Sequence, residues 1–439
     1  MQTTILGGGY VGLVTAACLA HLGHSVTIIE PDPDRLEPIR RGAIPIHEPD
    51  LAGLVAQAVQ SSALRALPTM AEATGETDIV LMCVGTPLRS DSEPDLGQVE
   101  AASRAIHVHA GAAPIVIRST LPLGATQQVA AWTARGDLTG LVTNPEFLRQ
   151  GSAVADFLKP TRIVVGSDGG RETQTVQLVR DLYAGIVAPF IVTDYASAEM
   201  IKNASNAYLA TKLSFVNEVA DLCEAYGANV ADVIHGMGLD PRIGSSYMSP
   251  GIGFGGSCLP KELANMVRLG RQRGLDTPLM AGAARTNELR AGRIADRLEA
   301  LRGPLAGCRV AILGLTFKPD TDDTRYSPAI ALADELLRRG ASVAAHDPVL
   351  PTDSPAVPPA VERAETPESA ISAADLVLLA TAWPQYLALD WRRLATSAAT
   401  PIVFDGRAVL DRPALAHAGW TVLSVGIAHG EPVVEPVTA

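Results

Sequence analysis

The stretch Gly253–Glu262, GFGGSCLPKE, places a thiol among glycines. A cysteine reacts as its thiolate. Backbone N–H groups left exposed by glycines, together with the positive charge of Lys261, lower a thiol pKa and expose the sulfur. Cys258 is therefore a candidate nucleophile. The other cysteines, Cys18, Cys83, Cys223 and Cys308, fall on predicted helices or strands, where a free cysteine is ordinarily a small core residue. Five scattered cysteines match neither a disulfide framework nor zinc-ligand spacing, and no metal is expected.

Two further groups carry chemistry. Lys202 and Asn206 are four residues apart in a helical stretch and share one face. Small or apolar neighbours (Ala204, Ala207, Leu209, Ala210) suit a buried face rather than a solvated stripe. Such a pair can hold a substrate oxygen and stabilise negative charge on it. Near the amino end, Gly7-Gly8-Gly9-Tyr10-Val11-Gly12 follows a predicted strand and opens a helix, and Glu30 ends the next strand. Gly7 permits a tight turn, Gly9 a close approach of pyrophosphate, and Gly12 close helix–strand packing. Glu30 can accept from both ribose hydroxyls and would repel a 2′-phosphate, which favours NAD over NADP. Arg35 is near enough to serve a 2′-phosphate; a solvated arginine, or one flanking adenine, is the plainer reading.

These groups need elements to hold them. Apolar runs at Thr3–Leu6, Ser25–Glu30, Asp78–Val84, Ile115–Ser119, Leu141–Thr143 and Arg162–Gly166 alternate with helical stretches, as in a parallel α/β sheet. From Ala196 to Tyr226 there is no Gly or Pro, which predicts one long helix. A second α/β series follows at Arg309–Leu315, Ser342–Asp347, Asp375–Thr381, Pro401–Asp405 and Thr421–Val425, with Pro351–Pro359 as a surface loop. DIVLMCVGTP (Asp78–Pro87) and DLVLLATAWP (Asp375–Pro384) look alike, as two related halves would. The expected fold is α/β: two doubly wound Rossmann-like domains joined by a central helical domain with one long helix. With 439 residues the chain is too long for one compact domain, and 47% hydrophobic but only 4% aromatic content predicts aliphatic cores. A net charge of −12 argues against nucleic acid as a partner. No apolar run is long enough to span a membrane, and no basic-then-apolar leader precedes the first strand, so a cytoplasmic protein is expected.

GGGYVG, CVGTP, RSTLPLGAT, NPEFL, KNASNAYLATKLSFVNE, GFGGSCLPKE, GLTFKPDTDDTR and FDGRAVL stand in the order and spacing of one family. Almost end to end, the chain resembles the UDP-glucose/GDP-mannose dehydrogenase family. The resemblance implies an NAD-binding Rossmann domain over 1–195, a central helical dimerisation domain with the cysteine loop over 196–300, and a nucleotide-sugar-binding Rossmann-like domain over 301–439. It implies a four-electron, NAD-dependent oxidation of a sugar C6 alcohol through a thiohemiacetal and a thioester on Cys258. Lys202 and Asn206 would hold the C6 oxygen, Thr120 a water, and Glu146 would serve thioester hydrolysis. Tyr10, Val11, Thr86, Gln150 and Arg325 would join the glycines around NAD. Phe147, Leu148, Tyr247, Gly255, Phe317, Lys318 and Arg407 would line the nucleotide sugar, with Phe317, Lys318 and Arg407 at its diphosphate or other anionic part. Arg242 would reach the sugar of the neighbouring subunit of a homodimer.

Two positions depart from the family's pattern: Gln150 stands where a Glu is usual, and Glu262 where an Asp is usual. We expect Glu262, helped by Thr120, to order water and accept protons, with Gln150 positioning cofactor or water. UDP-glucose is the expected substrate, ahead of dTDP-glucose and GDP-mannose. A β-hydroxyacid dehydrogenase also pairs Lys and Asn in this way, but leaves Cys258 and the second α/β series unexplained. A non-catalytic nucleotide-sugar scaffold is opposed by the intact Cys258, Lys202 and Asn206.

Overall fold

The computed structural model describes residues 1–428 except 74, 76, 88, 90–92 and 135–137. By its internal contacts the chain divides into two compact units, Met1–Ala204 and Ser205–Ala439. The first holds strands β1 (Gln2–Leu6), β2 (Ser25–Ile29), β3 (Leu64–Leu67), β4 (Ile79–Met82), β5 (Ile115–Ile117), β6 (Leu141–Thr143), β7 (Ile163–Ser167) and β8 (Phe190–Asp194). They form one sheet in the order β3-β2-β1-β4-β5-β6-β7-β8. All neighbours are parallel except β6 and β7, which pair antiparallel through Thr143 and Gly166. Apart from that one reversal the sheet is parallel, as expected. A Cβ at Gly166 would come within 2.3 Å of the Thr143 hydroxyl, so the crossing point requires glycine.

Side chains alternate across this sheet. Ile5, Ile28 and Leu81 pack under helices Tyr10–His21 and Leu51–Gln60, whereas Leu6, Ile29, Val80 and Met82 face helices Gly97–His109 and Thr126–Trp132. Helices cover both faces, so each central strand is apolar on both sides.

The second unit holds β9 (Arg309–Leu313), β10 (Ser342–His346), β11 (Val361–Arg363), β12 (Leu376–Leu379), β13 (Ile402–Asp405) and β14 (Thr421–Ser424). They form a parallel sheet in the order β11-β10-β9-β12-β13-β14. This repeats the order of the first six strands, and the two look-alike segments are β4 and β12. Again both faces are covered. Val310, Ile312 and Leu378 pack against helices Pro278–Arg302 and Pro328–Arg338, while Ala311, Leu313 and Val377 pack against Ile371, Trp391 and Trp420.

The long helix runs Tyr195–Tyr226, 32 residues, and the unit boundary at Ala204 falls inside it. Helices Leu259–Gln272 and Pro278–Arg302 belong to the second unit with its sheet. The strands absent from the sequence reading are β3, β8 and β11. Each is an edge strand: β3 and β11 are short and interrupted by charged residues, and β8, though it carries Phe190-Ile191-Val192, is half-exposed along its length.

Candidate active site

In the first unit the glycine turn opens helix Tyr10–His21. Gly7 has φ +98°, and its amide donates to the Ile29 carbonyl at 2.9 Å. A Cβ at Gly12 would lie 1.8 Å from the Gly7 oxygen, whereas one at Gly9 would meet only the Arg35 guanidinium, at 3.8 Å. Tight turn, open approach and close packing thus fall on the glycines expected for each. No side chain caps the helix start, whose N–H groups and dipole suit phosphate. Glu30 is buried and accepts the Gly8 amide at 2.8 Å and the Asp32 amide at 3.0 Å. Arg35 is exposed and lies 3.7 Å from Asp32. The residues present fit a dinucleotide without a 2′-phosphate, as NAD requires.

The loops after β4 and β5 meet where the Thr86 hydroxyl donates to the Thr120 carbonyl at 3.0 Å. After β6, Glu146 is buried, and its carboxylate accepts the Leu148 amide at 2.6 Å. Lys202, also buried, donates to the Glu146 carbonyl at 2.6 Å and its carboxylate at 3.1 Å. The Phe147 ring stacks under the Arg162 guanidinium at 3.7 Å, with the Lys202 ammonium 5.4 Å from its centre. Gln150 is half-buried two residues beyond Leu148. Asn206 is buried one turn after Lys202 on the long helix.

In the second unit Cys258 is the N-cap of helix Leu259–Gln272 and the exposed member of the five cysteines. Burial pushes the Cys18 and Cys83 thiols up to about 12, so those stay protonated and inert. The Glu262 amide donates to the Cys258 carbonyl at 2.9 Å, one turn on, which places both side chains on one helix face. Glu262 is itself buried, 3.4 Å from the Lys261 ammonium.

The glycines of this loop are used by neighbours. A Cβ at Gly255 would fall 2.2 Å from the Tyr326 carbonyl, and one at Gly256 would fall 2.9 Å from the Phe317 ring. The Gly256 amide donates to the Arg325 carbonyl at 2.9 Å. At the other end of the loop, the Arg407 guanidinium lies against Gly251. Its Nε donates to the Ala380 carbonyl at 2.5 Å, while Nη2 is shielded from solvent and meets no acceptor among the described residues. Desolvation pushes this arginine down to about 10, still charged at neutral pH. A shielded, unpartnered guanidinium nitrogen fits an anionic ligand. Lys318 lies 5.8 Å from the Phe317 ring centre.

Arg242 is apart from these groups. It is exposed and held in a bidentate pair by Asp240, with Nη2 to Oδ2 at 2.5 Å. Tyr247 takes φ +59° in a loop whose Ile243 and Ser246 carbonyls accept from Lys212 at 3.2 and 2.8 Å.

Profile matches cover most of the chain: the family's NAD binding domain over residues 1–187, its central domain over 196–289 and its UDP binding domain over 311–412. The chain belongs to the UDP-glucose/GDP-mannose dehydrogenase family. It is 38% identical to the UDP-glucose 6-dehydrogenase of Rhizobium meliloti, covering 97% of this chain and 99% of that one. It is 36% identical to the enzyme of that name from Pseudomonas aeruginosa, covering 97% of each. A solved UDP-glucose dehydrogenase from Pyrobaculum islandicum superposes with a TM-score of 0.88 at 37% identity, covering 97% of this chain and 98% of that one. As a member of this family the protein is an NAD-dependent oxidoreductase acting on a nucleotide sugar.

Several residues that hold the cysteine loop and the arginines escaped the sequence reading. Asn217 accepts the Gly251 amide at 2.8 Å, Asn287 accepts the Phe254 amide at 2.9 Å, and Arg290 donates to the Gly251 carbonyl at 2.9 Å. Together they fix the cysteine loop. Asp240, Asp323 and Asp405 each accept the amide of the arginine two positions on, Arg242, Arg325 and Arg407. The Asp-x-Arg spacing occurs four times in the chain, and three of the four make this bond; in the fourth, Asp390-Trp391-Arg392, Asp390 accepts the Arg393 amide instead, at 3.0 Å. In the first two the carboxylate also grips the guanidinium; in the third it turns to the Val409 and Leu410 amides, both at 2.7 Å, and makes no hydrogen bond to the Arg407 guanidinium among the described residues.

Proposed function

We propose that the protein oxidises the C6 alcohol of UDP-glucose to the carboxylate of UDP-glucuronate through a thiohemiacetal and a thioester on Cys258. The observation that carries this reading is Cys258 itself, the exposed thiol of the five, at the head of a helix with a carboxylate one turn away. The names of the relatives above support the substrate.

Overall, RCH2OH and water give RCOO−, two hydrides and three protons, and bound NAD supplies the hydride acceptor. Lys202 and Asn206, on one helix face, hold the C6 oxygen and favour its deprotonated form. The Cys258 thiolate adds to the aldehyde carbon, forming a C–S bond; the thiohemiacetal then loses its hydroxyl proton and a hydride to become the thioester. Glu262, with Thr120, orders water and takes its proton, Glu146 assists, and C–S cleavage returns the thiolate. Gln150 positions cofactor or water. Arg407, Phe317 and Lys318 hold the diphosphate, Phe147, Leu148, Tyr247 and Gly255 line the sugar side, and Thr86, Tyr10, Val11 and Arg325 flank NAD.

The same reading includes the threefold division at about residues 195 and 300, a cytoplasmic location, and a homodimer in which Arg242 serves the neighbouring site. Among the described residues no helix is long and apolar enough to cross a membrane. The dimer is supported by Tyr208, Phe215 and Leu222, exposed at seven-residue spacing along the long helix.

The test is NADH counted per uronic acid formed, with UDP-glucose, dTDP-glucose and GDP-mannose in parallel. Two NADH per acid and fastest turnover of UDP-glucose are expected. Cys258→Ala should make no acid while still binding NAD. Full conversion by that variant would remove the thioester, and preference for another sugar would replace the substrate.

A further inference from the structure

Glu48 lies outside every motif that drew attention in the sequence, yet it is buried at 4% exposure and receives three donors. Its Oε2 accepts the Tyr10 hydroxyl and, at 2.6 Å, the Gly151 amide; its Oε1 accepts the Ala153 amide at 2.7 Å. The partners come from two places. Tyr10 is the first residue of the helix that opens at the glycine turn. Gly151 and Ala153 follow Gln150 and close the loop that starts at Glu146, the residue gripped by Lys202.

We infer that Glu48 is a positioning residue that ties the dinucleotide cradle to the Glu146–Gly151 loop, so that NAD affinity and alignment of Glu146 with Lys202 depend on one carboxylate. The part concerning Glu146 and Lys202 rests on the catalytic reading above; the part concerning NAD does not. The chemistry is specific to a carboxylate. Two acceptor oxygens serve two backbone N–H groups and one hydroxyl, and an amide in their place turns its own N–H2 against the Gly151 or the Ala153 amide. A hydroxyl can reverse its direction, but a backbone amide cannot.

The experiment compares the full-length parent with Glu48→Gln, Glu48→Asp, Tyr10→Phe and the Tyr10→Phe/Glu48→Gln double variant. Calorimetry gives the NAD Kd, steady-state kinetics gives kcat at saturation, and a thermal melt reports folding. Glu48→Gln is expected to weaken NAD and to lower saturated kcat, each by about tenfold, the loss typical of a charge-assisted hydrogen bond. Glu48→Asp, which keeps the charge, should recover part of both; it carries the comparison if Glu48→Gln does not fold. Because Tyr10 and Glu48 act as one unit, the double variant should bind NAD no more weakly than Glu48→Gln alone. Independent, multiplying effects on Kd would overturn the link, as would a lowered melting temperature with parental Kd and kcat. Lys202→Ala, run alongside, separates the two readings: parental kcat there sinks the role of Glu146 and Lys202, while the link to NAD is judged on Kd alone.

Discussion

At the carboxyl end of β1 the chain turns through Gly7-Gly8-Gly9; at the carboxyl end of β9 it turns through Gly314-Leu315-Thr316. The backbones match closely. Gly314 has φ +92° against +98° for Gly7, and both amides donate at 2.9 Å to the last residue of the neighbouring strand, His346 and Ile29. The next amide is held by an acid in each case, Leu315 by Asp347 at 2.7 Å and Gly8 by Glu30 at 2.8 Å. The contents differ. Beside Gly9 there is room for a ligand, whereas Thr316 is fully buried, bonded to Asp347 at 3.3 Å and to the Trp383 indole N–H at 3.2 Å. The helix starts at Tyr10 in the first half, but at Pro328 in the second, after a loop that instead packs on the cysteine loop. The strand order creates a crevice in both halves. Side-chain volume leaves the backbone open beside Gly9 and closes it at Thr316.

The largest effect expected from testing this contrast is on Gly12. Gly12→Ala forces a methyl onto the Gly7 carbonyl and should weaken NAD by about a hundredfold, the upper end of the usual cost of overpacking. Gly314→Ala is the control in the other half. It is strained by its positive φ and by Thr381, so it should lower the melting temperature while titration calorimetry finds NAD affinity within about threefold of the parent. An equal loss of NAD binding in both would dissolve the distinction.

Arg407→Ala comes next, with a nucleotide-sugar KM raised by about thirty- to a hundredfold, as for losing one partner of a desolvated charge pair. The pH dependence has a definite sign. Arg407 is charged below about 10 and loses its charge above it, so the parent's KM should climb as pH passes about 10, and more steeply than the variant's. Asp323→Asn should have a smaller effect, raising the NAD KM by about fivefold through a loosened Arg325. The smallest effect is for Thr316→Val, which removes a hydroxyl that serves only the fold. A loss of about 1–2 kcal/mol in denaturant melts is expected, with unchanged NAD stoichiometry.

What could be read from sequence follows from what is local. The glycine turn, the cysteine loop and the central strands announce themselves by composition within ten residues, and the structure has each. The antiparallel entry of β7 was invisible, because Gly166 shows its purpose only once Thr143 faces it. Asn217, Asn287 and Arg290 were invisible for the same reason: their bonds to the cysteine loop span 34, 33 and 39 residues. Glu48 reaches across 103 and 105 residues to Gly151 and Ala153. The Asp-x-Arg pairs, by contrast, are local, and only the bond tells them from Asp390-Trp391-Arg392, which shares the spacing.

Those pairs also set the terms on which a charged ligand arrives. Asp240 and Asp323 cancel the charge of Arg242 and Arg325 where they stand, and the chain as a whole carries −12. An anionic nucleotide sugar therefore drifts toward a molecule of its own sign, and the attraction of Arg407 is felt only at close range. Added salt shortens the reach of that repulsion to about 8 Å at physiological ionic strength. Capture of the sugar nucleotide should accordingly quicken as salt is raised from a few millimolar, the opposite of the slowing seen where a basic surface steers an anion in.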